Sequence, residues 1–326
     1  VSAVLVTGAA GFIGRHVVRA LLADGEVVIG VDNFITSERE DLRPLLEAPR
    51  VRFIEADVAS PAFPAALAGQ RVDAIYHLAC PTGVPNLGPL ALEMLRTCYE
   101  GTSAALSLAR AHNAPLLLAS SAEVYGNPER APQDESYSGN VDPLGPRKGY
   151  EEGKRVAETL CGIYAERFGV RAVIARIFNT YGPGMSLAET RVVPAFARAA
   201  LEGRPLLLHG DGAQTRCHLY IDDLVAGLRL ALAHGAPGRA YNLGGTTPAT
   251  VRDLAERIVR LAGSSSPIVT VERPAHDHDN RLPDTGRART ELGWQALVDF
   301  ETGLAETIAD IRTRLAAPSR TTRATQ

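Results

Sequence analysis

The sequence predicts an α/β protein built on a doubly wound parallel sheet, with a second, smaller region interleaved with it. Two patterns carry that expectation. Six short apolar runs, VLVTG (4–8), VVIGVD (27–32), RFIEAD (52–57), AIYHLA (74–79), LLLASS (116–121) and AVIARI (172–177), are mostly separated by ten or more residues of helical spacing. Near-continuous hydrophobic strands joined by helices belong to a parallel sheet covered on both faces. The first run also leads straight into a glycine triplet at the start of a helix, the opening of a Rossmann unit.

Beyond about residue 180 the rhythm changes, because YGPGM and EGRPLLLHGDGAQTR put turn residues between one helix and one short strand. DDLVAGLRLALAHG and AYNLGG then read as a helix–strand pair that returns to the main sheet. The expected division is residues 1–178, with 217–245 returning to them, as the nucleotide-binding domain. Residues 179–216 and 246–316 form the substrate-binding domain, and 317–326 a polar, flexible tail.

With 326 residues, 45% hydrophobic and 22% charged, the chain can bury a full-sized core and reads as a soluble globular protein. A formal net charge of -3 and the lack of a long basic run argue against nucleic acid or an anionic membrane as a partner. No apolar run approaches membrane-spanning length, and the opening VSAVLVTGAAGFIG lacks the basic flank of a signal peptide, so a cytoplasmic location is expected. Cys80, Cys98, Cys161 and Cys217 are widely spaced without a CxxC, which predicts reduced thiols rather than disulfides or zinc ligands. HDHDNR (276–281) gathers two histidines and two aspartates, but an alternating loop splays such side chains and no distant partner is evident; no metal is expected.

Gly8, Gly11 and Gly14 follow the first strand and enter the first helix, where backbone N–H groups can receive a pyrophosphate. Asp32 ends the second strand, placed to accept bonds from both ribose hydroxyls and to repel a 2′-phosphate, which favours NAD over NADP. Asp57, ending the third strand, can contact the adenine or simply form a turn. Phe12, Ile13, Asn33, Val58 and Leu78 complete the expected cofactor contacts.

Lys148 and Lys154 are the chain's two lysines; every other basic side chain apart from histidine is arginine. Tyr150 and Lys154 are four residues apart, so on a helix they share a face with a rise of about 6 Å. An ammonium near a phenol favours phenolate, so the tyrosine pKa is expected to fall toward neutrality and Tyr150 to serve as a base. Arginine's planar fork substitutes poorly for a compact charge that must also reach a ribose. Lys148 reads as a solvated side chain at the helix start. Ser120 and Ser121 end a strand between the glycine loop and this YxxxK.

Together these residues resemble the extended short-chain dehydrogenase/reductase family, and within it the branch that decarboxylates UDP-glucuronate to UDP-xylose, along almost the whole chain. The closest stretches are LLLASSAEVYG, GPRKGYEEGKRVAET, ARIFNTYGP, GDGAQTR and RLPD. The resemblance implies Ser121, Tyr150 and Lys154 as an oxidoreductase triad, and Glu123 and Arg281 as the pair acting on the sugar acid. It implies Asn179, Arg191 and Arg216, with Pro85 and Val192, as contacts to the nucleotide sugar. Oxidation of carbon 4 by NAD makes the carboxylate that of a β-keto acid, which loses carbon dioxide before the hydride returns. Ser121 and Tyr150 then donate to the developing oxyanion, Arg281 aligns the carboxylate, and Glu123 relays or places the water that protonates carbon 5. Read without the resemblance, Glu123 is a strand-end carboxylate making a loop hydrogen bond, and Arg281 an ion-pair partner of Asp284 or Asp277.

Ala122 stands where the related dehydratases carry an acid, and simple 4-epimerases have a small or hydroxyl residue in place of Glu123, so decarboxylation is the expected outcome. A 4-epimerase or dehydratase of the same family is the rival enzyme; a catalytically silent NAD-binding regulator is the rival of another class. Three departures from the branch are visible: Cys98 replaces an asparagine near the lysine, Leu87 an aromatic residue, and Ala122 a hydroxyl residue. The stretches 89–112 and 148–168 carry apolar faces beyond what one sheet needs, and the resemblance implies that they pair in a homodimer.

Overall fold

The computed structural model describes residues 3–272 and 280–317. The expected tail beyond residue 317 and the 276–279 part of HDHDNR lie outside them. Seven parallel strands form one sheet: β1 (Ala3–Thr7), β2 (Val27–Asp32), β3 (Val51–Glu55), β4 (Ala74–His77), β5 (Leu116–Ser121), β6 (Ala172–Ile177) and β7 (Ala240–Leu243). Their spatial order is β7-β6-β5-β4-β1-β2-β3, and every neighbouring pair is parallel. The order reverses between β1 and β4. A crevice opens at such a switch point, outside the carboxyl ends of the strands.

Alternation along the strands divides the core into two layers. Val4, Val6, Val28, Leu117 and Val173 face helices Phe12–Ala23 and Ile221–His234, meeting Val17, Leu21, Leu224 and Leu228. Leu5, Ile29, Ile75, Leu116, Leu118 and Ile174 point the other way, toward Leu106 and Ala109 of helix Thr102–His112 and Ala157 and Cys161 of helix Lys148–Phe168. β5 lies mid-sheet and is buried at every residue. β3 is an edge strand and is only half-buried.

AYNLGG supplies β7, which pairs with β6 as expected. Three strands stop earlier than their apolar runs, the first of them at Thr7, before Gly8. The run 52–57 is a strand only to Glu55, since Asp57 Oδ1 accepts the amide of Ala59 at 2.9 Å and turns the chain; the run 74–79 is a strand only to His77. Between residues 180 and 220 four short strands stand where one was expected: Thr180–Tyr181, Leu206–His209, Thr215–Cys217 and Leu219–Tyr220. Segments of two to four residues are too short to express an alternating pattern. Thr215–Cys217 pairs antiparallel with Pro248–Thr250 and parallel with Asn280–Arg281, setting Arg216 and Arg281 side by side.

The stretch 89–112 is a helix, Ala91–Arg96, a π-helical turn, Thr97–Gly101, and a second helix, Thr102–His112. It packs closely on helix Lys148–Phe168 because Gly149 faces it. A Cβ at Gly149 would come within 2.4 Å of the Ala91 carbonyl oxygen, a backbone atom that cannot move aside cheaply. Gly149→Ala is therefore expected to push the start of that helix outward and to cost about 1–3 kcal/mol, read as a lower urea midpoint.

Candidate active site

The carboxyl ends of β1, β2 and β4 open into a narrow cleft. Gly8 takes φ 70, and a Cβ there would sit 2.8 Å from the Ala79 amide nitrogen; one at Gly14 would meet the Gly8 carbonyl at 2.0 Å. Only glycine permits this close turn. Helix Phe12–Ala23 begins directly after it, and its first intrahelical bond is Arg15 N–H to Gly11 O at 3.0 Å. The amides of Phe12, Ile13 and Gly14 precede that bond, so they are the free donors of a helix N-terminus. Asp32 is held by the amides of Ala10 and Phe34, each 2.9 Å from a carboxylate oxygen, and by the Ser37 hydroxyl at 3.0 Å. Gly8, Gly11, Phe12, Ile13, Gly14, Asp32, Asn33, Asp57, Val58 and Leu78 all line this cleft. Donors for a pyrophosphate at one point and a fixed carboxylate at the strand end beside it fit a dinucleotide.

Ser121 closes β5 and starts the 3₁₀ turn Ala122–Tyr125, its hydroxyl accepting the Glu123 amide at 3.2 Å. Tyr150 and Lys154 lie on the first turns of helix Lys148–Phe168. Lys154 is buried, donates to the Ala119 carbonyl at 2.7 Å and has its nitrogen 5.8 Å from the centre of the Tyr150 ring. The helix thus brings the expected triad together. The expected fall in the tyrosine pKa is not found. Burial pushes the Tyr150 phenol up to about 12, and the nearby Lys154 ammonium and the hydrogen bond with Ser121 offset only part of that rise. Burial likewise opposes the charge of Lys154, but Cys80, Cys98 and Tyr150 around it outweigh burial and raise its pKa.

Glu123 is buried between two guanidinium groups. Arg147 reaches it through Nε at 3.0 Å and a terminal nitrogen at 2.7 Å, and Arg281 grips both of its oxygens, one contact measuring 2.9 Å. Burial alone would raise the Glu123 carboxyl; Arg281 and then Arg147 overcome it and hold the group well below the usual carboxylate range. Arg281 is itself buried and forms an ion pair with Glu123; Asp277 lies outside the described residues. All four of these bonds are charge-assisted, so both Glu123 oxygens are engaged with arginine. Glu151 stands 3.4 Å from Arg147 Nε, and burial and the charge of Glu123 push it up to about 7.

A second, larger cleft of about 810 Å³ adjoins the clamp, and Glu123, Arg147, Asn179, Arg191, Val192, Arg216 and Arg281 line it. Arg191 forms an ion pair with Glu189 at 2.8 Å, and Val192 begins helix Val192–Leu201. Pro85 is in a 3₁₀ turn, Val84–Asn86, whose neighbours Val84 and Leu87 face the cleft while Pro85 is not among its lining residues. Leu87 therefore faces the larger cleft, Ala122 is buried in the turn before Glu123, and Cys98 is buried against Gly153. Among the described residues no cluster of three metal-binding side chains is found.

Residues 4–244 match the profile of the NAD dependent epimerase/dehydratase family. The chain belongs to that family. It is 41% identical over 312 residues to UDP-glucuronic acid decarboxylase 1 of Xenopus tropicalis, spanning 96% of this chain and 72% of that one. It is 40% identical over 319 residues to UDP-glucuronic acid decarboxylase 6 of Arabidopsis thaliana, spanning 97% and 91%. Among solved structures, UDP-glucuronic acid 4-epimerase from Bacillus cereus, in complex with UDP-glucuronic acid and NAD, superposes with a TM-score of 0.85 at 28% identity, over 96% of this chain and 99% of that one.

Sequence reasoning did not single out Arg147 or Glu151 in this member of the epimerase/dehydratase family, although both lie in the stretch GPRKGYEEGKR. Their signal was an arginine and a glutamate on either side of the tyrosine, one turn apart. The phenol makes a direct test of the electrostatics. An ultraviolet difference titration of the ligand-free protein against Tyr150→Phe is expected to show no phenolate below about pH 10. Phenolate near neutrality would mean that the lysine outweighs burial.

Proposed function

We propose that the chain converts UDP-glucuronate to UDP-xylose through a 4-keto sugar, with NAD in the narrow cleft and the nucleotide sugar in the larger one. The observation that carries this reading is the buried Arg281–Glu123–Arg147 cluster lining the larger cleft, two residues along the chain from Ser121 and three from Tyr150. Two guanidinium groups can receive a sugar carboxylate in bidentate fashion. The near full-length likeness to UDP-glucuronic acid decarboxylases supports the same reading.

Bound NAD would supply hydride transfer to and from carbon 4. Tyr150 takes the carbon 4 hydroxyl proton, Lys154 holds the ribose and favours the phenolate, and Ser121 donates to the carbon 4 oxygen. Arg281 leaves one Glu123 oxygen for the sugar carboxylate and sets the carbon–carbon bond to be broken across the plane of the ketone. Loss of carbon dioxide leaves an enolate, whose oxygen Ser121 and Tyr150 stabilise. The Glu123 oxygen released by Arg281 places the water that protonates carbon 5. Asn179, Arg191, Val192 and Arg216 hold the UDP portion, with Pro85 supporting the turn beside it.

Residues 1–178 with 217–245 act as the nucleotide-binding domain, and 179–216 with 246–316 as the substrate domain. The setting is the cytoplasm; no described helix is long and apolar enough to cross a membrane. The working form is a homodimer. Leu92 (65% exposed), Leu95 and Tyr99 follow one face of the first of two packed helices, and Ile163 and Phe168 lie exposed on the second. Sedimentation should give a dimer, and Leu92→Glu with Tyr99→Glu a monomer.

Incubation with UDP-glucuronate and NAD is expected to release carbon dioxide and give a pentose nucleotide by proton NMR. Tyr150→Phe should lower turnover by about 10²–10⁴-fold, and Arg281→Ala should abolish carbon dioxide release. An epimerised sugar that keeps its carboxylate would assign the chain to the epimerases and overturn the role given to Arg281.

A further inference from the structure

Two thiols far apart in sequence meet beside the lysine of the site. Cys80 follows β4 and lines the dinucleotide cleft, while Cys98 is 2% exposed, and their sulfurs are 3.8 Å apart. Both are free thiols. Cys98 belongs to the π-helical turn Thr97–Gly101, the widened turn between two α-helical segments, a device that recurs at functional sites. Opposite it stands Gly153, where a Cβ would lie 3.2 Å from both the Cβ and the sulfur of Cys98. The residue after Gly153 is Lys154, whose ammonium interacts with both sulfurs.

This is the setting of a reactive pair rather than of inert core thiols. One member is reachable from a cleft, the other is within one side-chain turn of it, and a buried cation favours the thiolate. The contact with Cys80 draws the Cys98 thiol down to about 7 against burial, while Cys80 is pushed up, so the pair shares one proton. Closing to a bond of about 2.05 Å takes a rotation of the side chains toward each other.

We propose that Cys80 and Cys98 form a redox switch, oxidised to a disulfide by a small-molecule disulfide that enters the dinucleotide cleft when NAD has left it. Cys80 passes its proton to the Cys98 thiolate and, as the thiolate, attacks one sulfur of that molecule; its S–S bond breaks and one thiolate departs. That thiolate takes the proton from Cys98, whose sulfur attacks the Cys80 sulfur and expels the second thiolate. Two electrons pass from the pair to the small disulfide, the one proton of the pair ends on the first released thiol, and the second is protonated by water. The link ties the loop after β4 to the π turn and takes both sulfurs away from Lys154. Its effect on turnover rests on the function proposed above; its formation does not.

The native protein is treated with oxidised glutathione, and its peptides are mapped without reduction. The expected product is a Cys80–Cys98 cross-link that dithiothreitol reverses, with turnover of UDP-glucuronate lost in step with the linked fraction. Cys98→Ser should stop at glutathione bound to Cys80, and Cys80→Ser should leave Cys98 unmodified. Glutathione resting on Cys80 in the wild type, or neither cysteine modified while the unfolded chain reacts, would overturn the pair. A complete cross-link with full turnover would overturn the switch. Because mapping needs no substrate, a failed decarboxylase assay leaves the test of the pair intact.

Discussion

One carboxylate is where three distant stretches of the chain meet. Glu123 sits on the turn that follows β5, Arg147 caps the helix carrying Tyr150 and Lys154, and Arg281 comes from a two-residue strand more than a hundred positions later. Removing Glu123 would strand two guanidinium groups in a buried place, which costs far more than the cluster contributes when intact. The clamp therefore fixes the placement of Ser121, Tyr150 and Lys154 relative to the larger cleft. Gln133 reinforces it, exchanging backbone bonds with Leu282 at 2.7 Å and Asp284 at 2.8 Å and accepting the Leu282 amide on its side chain at 2.9 Å.

Around Lys154 the balance is different, since a single cation serves several neighbours of opposite demand. It stabilises thiolate at the Cys80–Cys98 pair and opposes, without reversing, the effect of burial on Tyr150. Arginine would be too long and planar for the space between Ala119, the phenol and the two sulfurs, which gives a physical reason for a lysine in a chain that otherwise prefers arginine. Burial, not the lysine, sets the balance at the phenol.

The sheet was legible because its inner strands are buried on both faces and announce themselves as near-continuous apolar runs, and β7 was readable in AYNLGG. The glycine turn, Asp32 and the Tyr150–Lys154 spacing were legible because local geometry dictates them. What stayed hidden was contact between remote segments. Nothing in the spacing of Cys80 and Cys98 shows that a π turn brings their sulfurs together, and nothing local marks Arg147 as a partner of Glu123. Burial defeated the expected acidity of Tyr150, a quantity set by the whole surrounding structure. The short strands after residue 180 escaped because they are shaped by pairing rather than by pattern.

The strand order has a consequence for how the protein is made. β6 ends at Ile177, but its outer neighbour β7 begins only at Ala240, after more than sixty residues that include the first part of the substrate region. During synthesis the edge of β6 stays unpaired while that stretch leaves the ribosome, and an open edge invites pairing with another chain. The segment 178–239 is consequently threaded between two steps of one sheet's completion, so the sheet closes only after that segment has been made.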